Sequence, residues 1–67
     1  MSDEIRKKLR KIRRDKEISQ DALAAAMGKT PVGWVSHLET GRRNPTLSNF
    51  TLWVDALGYK LTLEPKE

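Results

Sequence analysis

The chain has 67 residues, 13 Lys+Arg against 9 Asp+Glu, a net charge of +4 and no cysteine. That length gives one domain with a small core, and the missing cysteines exclude disulfides and thiolate metal sites. With one histidine in all, a His-based metal cluster is excluded too. No apolar run approaches the roughly 18 residues a membrane span needs, and MSDEIRKKLR lacks the apolar core of a signal peptide. A cytoplasmic protein with no cofactor is expected, and its basic excess suits a polyanionic partner.

Ser2 and Asp3 are placed to cap a first helix, and Asp3 and Glu4 favour its positive end. Ile5, Leu9 and Ile12 form one narrow apolar stripe. The other faces are charged. Residues 6–16 carry Arg6, Lys7, Lys8, Arg10, Lys11, Arg13, Arg14 and Lys16, read as a solvated surface, and the helix should end near Lys16.

Ser19 suits an N-cap for a second helix, Gln20 to Met27, with Ala22, Leu23, Ala26 and Met27 facing inward. Gly28 supplies a left-handed stop. Thr30-Pro31 restarts a helix, Thr as cap and Pro in the first turn. Val35 and Leu38 anchor this third helix and Gly41 ends it. Its outer face is Val32, Gly33, Trp34, Ser36 and His37, and a helix that merely packed would carry a wider apolar stripe. Asn44-Pro45-Thr46 caps a fourth helix, Leu47 to Ala56 or Leu57. Leu47, Phe50, Val54 and Leu57 share one face, Trp53 is on its flank and Leu52 is opposite. Gly58 closes it.

The last segment changes period. Tyr59, Leu61 and Leu63 alternate with Lys60, Thr62 and Glu64, the pattern of a strand that Pro65 ends. A lone strand has two unpaired edges. The same strand from a second copy would complete a two-stranded ribbon across a two-fold axis. A loose tail is the alternative.

Two short helices joined through Gly28-Lys29 make a helix-turn-helix, which projects its second helix into the DNA major groove. Here "LRKIRRDKEISQDALAAAMG", "VSHLETGRRNPTL" and "ALG" together resemble the Cro/C1-type (XRE, lambda-repressor-like) helix-turn-helix family, from about Ile5 to Gly58. The tail "YKLTLEP" is similar to the strand that pairs between subunits in HipB-type antitoxins. The fold this implies is an all-α bundle of about four helices plus a C-terminal strand. Residues 1–58 form the DNA-binding domain and 59–67 the dimerisation strand and tail, in a bacterial or phage-encoded protein.

By the same resemblance, Gln20 hydrogen-bonds a phosphate with Ser19 capping beside it, although simple capping explains both. Thr30, Val32, Gly33 and Trp34 stand at the front of the reading helix, with Ser36 and His37 further along. Val32 could touch a thymine methyl, and His37 is the best single reader because imidazole both donates and accepts. Trp34 either packs at the helix edge or meets DNA. Arg42, Arg43 and Asn44 follow, where the family meets the phosphate backbone. Arg13 and Glu39 take positions that form a structural ion pair in relatives. Leu52, Tyr59, Leu61 and Leu63 are the dimerisation candidates.

Departures from the family pattern matter as well. The stretch from Gly28 to Val35 is one residue longer, which widens the turn or starts helix three one residue early. Glu17 stands where glycine often ends helix one. Ala22 leaves the capping box of Ser19 half-built. The reading helix lacks Arg, Gln and Asn, so readout leans on phosphates and DNA shape.

No paired carboxylates, Ser-His-Asp grouping or phosphate loop is present, so no enzyme is expected. The expected function is a homodimeric repressor on a palindromic operator, controlling its own promoter. The rival is an antitoxin that holds a toxin protein through Leu52, the strand and the acidic tail Glu64 to Glu67. A scaffold that keeps the fold without reading DNA is a third possibility. A neighbouring toxin gene would favour the antitoxin, and a divergent phage gene a phage repressor.

Overall fold

A computed structural model describes residues 3–29, 33–62 and 65. Four α-helices follow in order: α1 (Asp3–Asp15), α2 (Gln20–Ala26), α3 (Trp34–Thr40) and α4 (Leu47–Ala56). Helix α3 packs against both α1 and α2, and α2 also packs against α4. The core between them is Leu9, Leu23, Ala24, Met27, Val35, Leu38, Trp53, Val54 and Leu57, with Ile12, Ile18, Trp34, Phe50 and Ala56 partly buried around it.

Local chemistry sets the helix ends. Ser19 Oγ accepts from the Ala22 N–H at 3.0 Å, and Thr46 Oγ1 accepts from the Asn49 N–H at 3.1 Å. Each satisfies an amide that the first turn leaves without a helical partner. Three helices close in the same way. The Ile18 N–H reaches the Arg13 carbonyl at 3.1 Å, Lys29 reaches Ala24 at 2.9 Å and Tyr59 reaches Val54 at 3.1 Å. This closure needs a left-handed residue just past the helix. Gly28 and Gly58 provide it in two cases, and Glu17, at φ 57°, provides it in the third.

A non-glycine residue in that region is strained by about 1 kcal/mol, partly offset because glycine loses more entropy on folding. Glu17→Gly is therefore expected to stabilise the domain by roughly 0.5 kcal/mol. Urea denaturation checks this, and a loss of stability would remove the strain argument.

Several packing expectations need correction. In α2 the inner face is Leu23, Ala24 and Met27, while Ala22 and Ala26 are exposed. The two large side chains set the direction, and Ala24 lies between them at the helical period. In α4 the centre is Trp53, fully buried, and not the flank. Leu47 is 76% exposed, because it opens the helix beyond the edge of the core. Ile5 is exposed, and Arg6 and Arg13 take the inner positions beside Leu9. These two cations are buried, not part of a solvated face.

Helix three also starts later than the sequence pattern implies. Its first residue is Trp34 and its N-cap is Gly33, whose φ of 70° ends any right-handed run there. The Gly33 carbonyl accepts from the His37 N–H at 2.9 Å, the first turn of the helix. The extra residue therefore does not lengthen the helix at its start. Ser2, Thr30, Pro31, Val32, Leu63, Glu64, Lys66 and Glu67 lie outside the described residues.

Among the described residues there is no strand. Residues 59–62, where the alternating pattern predicts a strand, have no regular structure. Tyr59 and Leu61 are exposed, and the Lys16 ammonium lies 5.4 Å from the Tyr59 ring centre. No helix among the described residues is long and apolar enough to cross a membrane.

Candidate nucleic-acid interface

Helix α3 is anchored along one side. Val35 and Leu38 are fully buried, and Glu39 joins them on the inner face. At the helical period the opposite arc is Ser36, His37 and Thr40. Ser36 and His37 are half-buried and Thr40 is exposed. Thr40 Oγ1 donates to the Ser36 carbonyl at 2.8 Å, which ties it to its own helix. Thr40 is not among the residues the sequence pattern singles out, although its i+4 spacing from Ser36 places it on the same arc.

Trp34 opens the helix and packs against the core, partly buried. The Lys29 ammonium stands 5.4 Å from its ring centre, within cation–π range. An alanine Cβ at Gly33 would sit 3.7 Å from the His37 ring. Gly33 and His37 are therefore neighbours at the front of α3.

A buried polar hub holds α1, α2 and α3 together. Arg13 Nε donates to Glu39 Oε2 at 2.6 Å, and Arg13 Nη2 to Glu39 Oε1 at 3.2 Å. Arg13 Nη1 donates to the Ile18 carbonyl at 2.7 Å. Gln20 Nε2 donates to Glu39 Oε1 at 3.0 Å. Gln20 thus spends one N–H inside the protein and has a second N–H on the same nitrogen. Ser19 beside it caps α2.

The turn after α3 carries the next candidates. Arg42 and Arg43 are exposed, and the Arg43 N–H donates to the His37 carbonyl at 3.1 Å. Asn44 has an internal partner: Arg6 Nη2 donates to its Oδ1. Arg6 Nη1 also donates to Asp3 Oδ1 at 3.0 Å. Asn44 therefore pins the turn to α1, a pairing across 38 residues that no local pattern announces. Leu52 is exposed on the far side of α4.

Electrostatically the surface is cationic with few pairings. Lys11 Nζ donates to Asp15 Oδ2 at 2.8 Å, and that hydrogen bond, with the charge of Asp15, raises the Lys11 pKa above its ordinary value. Among the described residues no group of three or more His, Asp or Glu side chains could hold a metal ion.

A family model described as helix-turn-helix matches residues 9–63 of the chain. No curated protein and no solved structure matches it.

Proposed function

The chain belongs to the helix-turn-helix family of the Cro/C1 type, and from that membership we propose that it is a repressor that binds a palindromic operator as a homodimer and controls its own promoter. In general terms it is a DNA-binding regulator, as its family is. One observation supports the finer reading above others. Helix α3 is fixed by Val35, Leu38 and Glu39 while its other arc stays open, directly beside the exposed Arg42 and Arg43.

The mechanism follows from that arrangement. Ser36, His37 and Thr40 would face base edges, with Gly33 letting the helix front approach closely. His37 would donate to or accept from a base edge. Arg42 and Arg43 would hold backbone phosphates, and the second N–H of Gln20 would hold another. With no bidentate side chain on the arc, phosphate contacts and DNA shape would supply most of the affinity. Two copies related by a two-fold axis would place their α3 helices about 34 Å apart, in successive major grooves. Polymerase would be occluded from the promoter.

Arg43→Ala is expected to weaken binding to all duplexes alike and to lower the salt slope by about one unit. Loss confined to one operator sequence would assign base reading to Arg43 instead.

Exposed Tyr59, Leu61 and Leu52 support the dimer, through a ribbon of residues 59–63. Deleting residues 59–67 is expected to shift the sedimenting species from dimer to monomer and to weaken operator binding with it. An unchanged dimer would remove the ribbon from the account. The same exposed residues favour a second reading, an antitoxin that binds a toxin protein there. A toxin gene beside this one, and a complex of the two products, would support it.

A further inference from the structure

The two flanks of α1 differ in charge. With Leu9 facing the core, the helical period puts Lys7, Arg10 and Arg14 on one flank and Glu4, Lys8, Lys11 and Asp15 on the other. The second flank is mixed, and Lys11 and Asp15 neutralise each other at 2.8 Å. The first flank lies next to Arg6 and Arg13, which reach Asn44 and Glu39, so it adjoins the helix-turn-helix.

An open cleft of about 560 Å³ joins this flank to the start of α2, lined by Arg10, Arg13, Arg14, Ser19, Gln20 and Asp21. Further along, Lys7 and Arg10 border Glu39 and Thr40 at the end of α3. Four carboxylates come near, one of them Asp15, which Lys11 holds at 2.8 Å where both line a groove with Lys7, Arg10 and Arg14. Asp3 pairs with Arg6. Glu39 is held by Arg13 at 2.6 Å and lies 4.0 Å from Arg10. Asp21 is exposed at the cleft wall. Arg10 is 46% exposed, and Lys7 and Arg14 have no ion pair with any described residue.

We propose that Lys7, Arg10 and Arg14 form a phosphate-binding ridge that carries the DNA backbone beyond the recognition helix, along α1. The inference rests on the DNA-binding reading and adds a contact surface to it. Lys7 to Arg14 spans about 10 Å of helix axis, roughly two turns, so the three cations present a row and not a single point of charge. The ridge is continuous with Gln20 at one end and Thr40 at the other. A polyanion with regularly spaced charges is the partner this row fits. Arginine also suits it chemically, since its planar fork matches phosphate oxygens.

The test compares two double variants of the full chain that remove the same charge. Arg10→Gln/Arg14→Gln alters the ridge, and Lys8→Gln/Lys11→Gln alters the opposite flank. Each is titrated against a labelled duplex from the gene's upstream region and a scrambled duplex of equal length, over a range of salt. The ridge variant is expected to lower the slope of log affinity against log salt by about two units. Near 0.1 M salt its affinity should fall on the order of 100-fold, about ten-fold per lost contact, for both duplexes alike. The opposite-flank variant should keep the slope within about half a unit.

Equal effects of the two variants would overturn the ridge, because bulk charge would then explain the loss. So would an unchanged slope in the ridge variant while Arg43→Ala flattens it; the regulator reading would survive that result. A parent protein with no salt-dependent binding to either duplex would overturn both. Circular dichroism confirms folding, and the single exposed Arg14→Gln carries the same comparison if Arg10 proves necessary for the fold.

Discussion

Glu39→Ala is expected to cost about 3–5 kcal/mol of folding stability. Total stability for a domain of this length is roughly 3–10 kcal/mol, so much of the population should unfold. Glu39 is only 8% exposed, and its carboxylate accepts two hydrogen bonds from Arg13 and one from Gln20. Removing it leaves the Arg13 guanidinium buried without its counter-charge, and also releases Gln20. The pair itself is not a large source of stability, because burying both charges costs nearly what their attraction returns. Replacing both residues with methionine should therefore cost far less than Glu39→Ala alone. Urea denaturation of the single and double variants measures the coupling. A single variant within about 1 kcal/mol of the parent, roughly one-third of the expected loss or less, would show that solvent reaches the hub.

Trp53→Ala is expected to lose about 3–5 kcal/mol through the cavity it leaves. Trp53 is fully buried and meets Phe50 edge to face, with ring centres 6.4 Å apart. Its indole Nε1 is also buried, with no acceptor among the described residues. An unmet donor of this kind costs about 1–3 kcal/mol. Trp53→Phe removes that donor while keeping most of the apolar bulk, so its net loss should be about 1 kcal/mol. The two variants separate the contributions. If phenylalanine proves as damaging as alanine, the indole N–H has an acceptor and the donor argument fails.

These two sites also show what the sequence could and could not disclose. The helical period gives the direction of a buried face, but not where a helix overruns the core. Leu47 and Trp53 share the broad apolar side of α4, yet one is 76% exposed and the other fully buried. End signals worked where a side chain bonds its own first turn, as Ser19 and Thr46 do. The restart expected at Thr30-Pro31 lies outside the described residues, and α3 itself begins at Trp34, after the left-handed Gly33.

Polar residues were hardest to place, because residue type does not name a partner. Arg6 sits in a run of cations that reads as solvated, yet it is buried and donates to the exposed Asp3 and Asn44. Gln20 and Asn44 were expected on phosphates. In the free protein each meets an internal partner first, across 19 and 38 residues. The anchored side of α3 was legible, since Val35 and Leu38 are its only purely aliphatic residues. Of the outer face expected by elimination, Ser36 and His37 lie on the open arc, Trp34 packs against the core and Val32 lies outside the described residues, while Thr40 joins the arc without having been expected there.

Sequence-specific binding is the central claim, and titration of the purified protein against its own upstream duplex tests it most directly. A scrambled duplex of equal length is measured beside it at physiological salt. The account predicts tight binding to the first and binding weaker by roughly 10³-fold or more to the second, with both weakening steeply as salt rises. Equal, weak binding to both duplexes would contradict it: the helix-turn-helix would then be present without its reading function, and the exposed Leu52, Tyr59 and Leu61 surface would be left as the working face of the molecule.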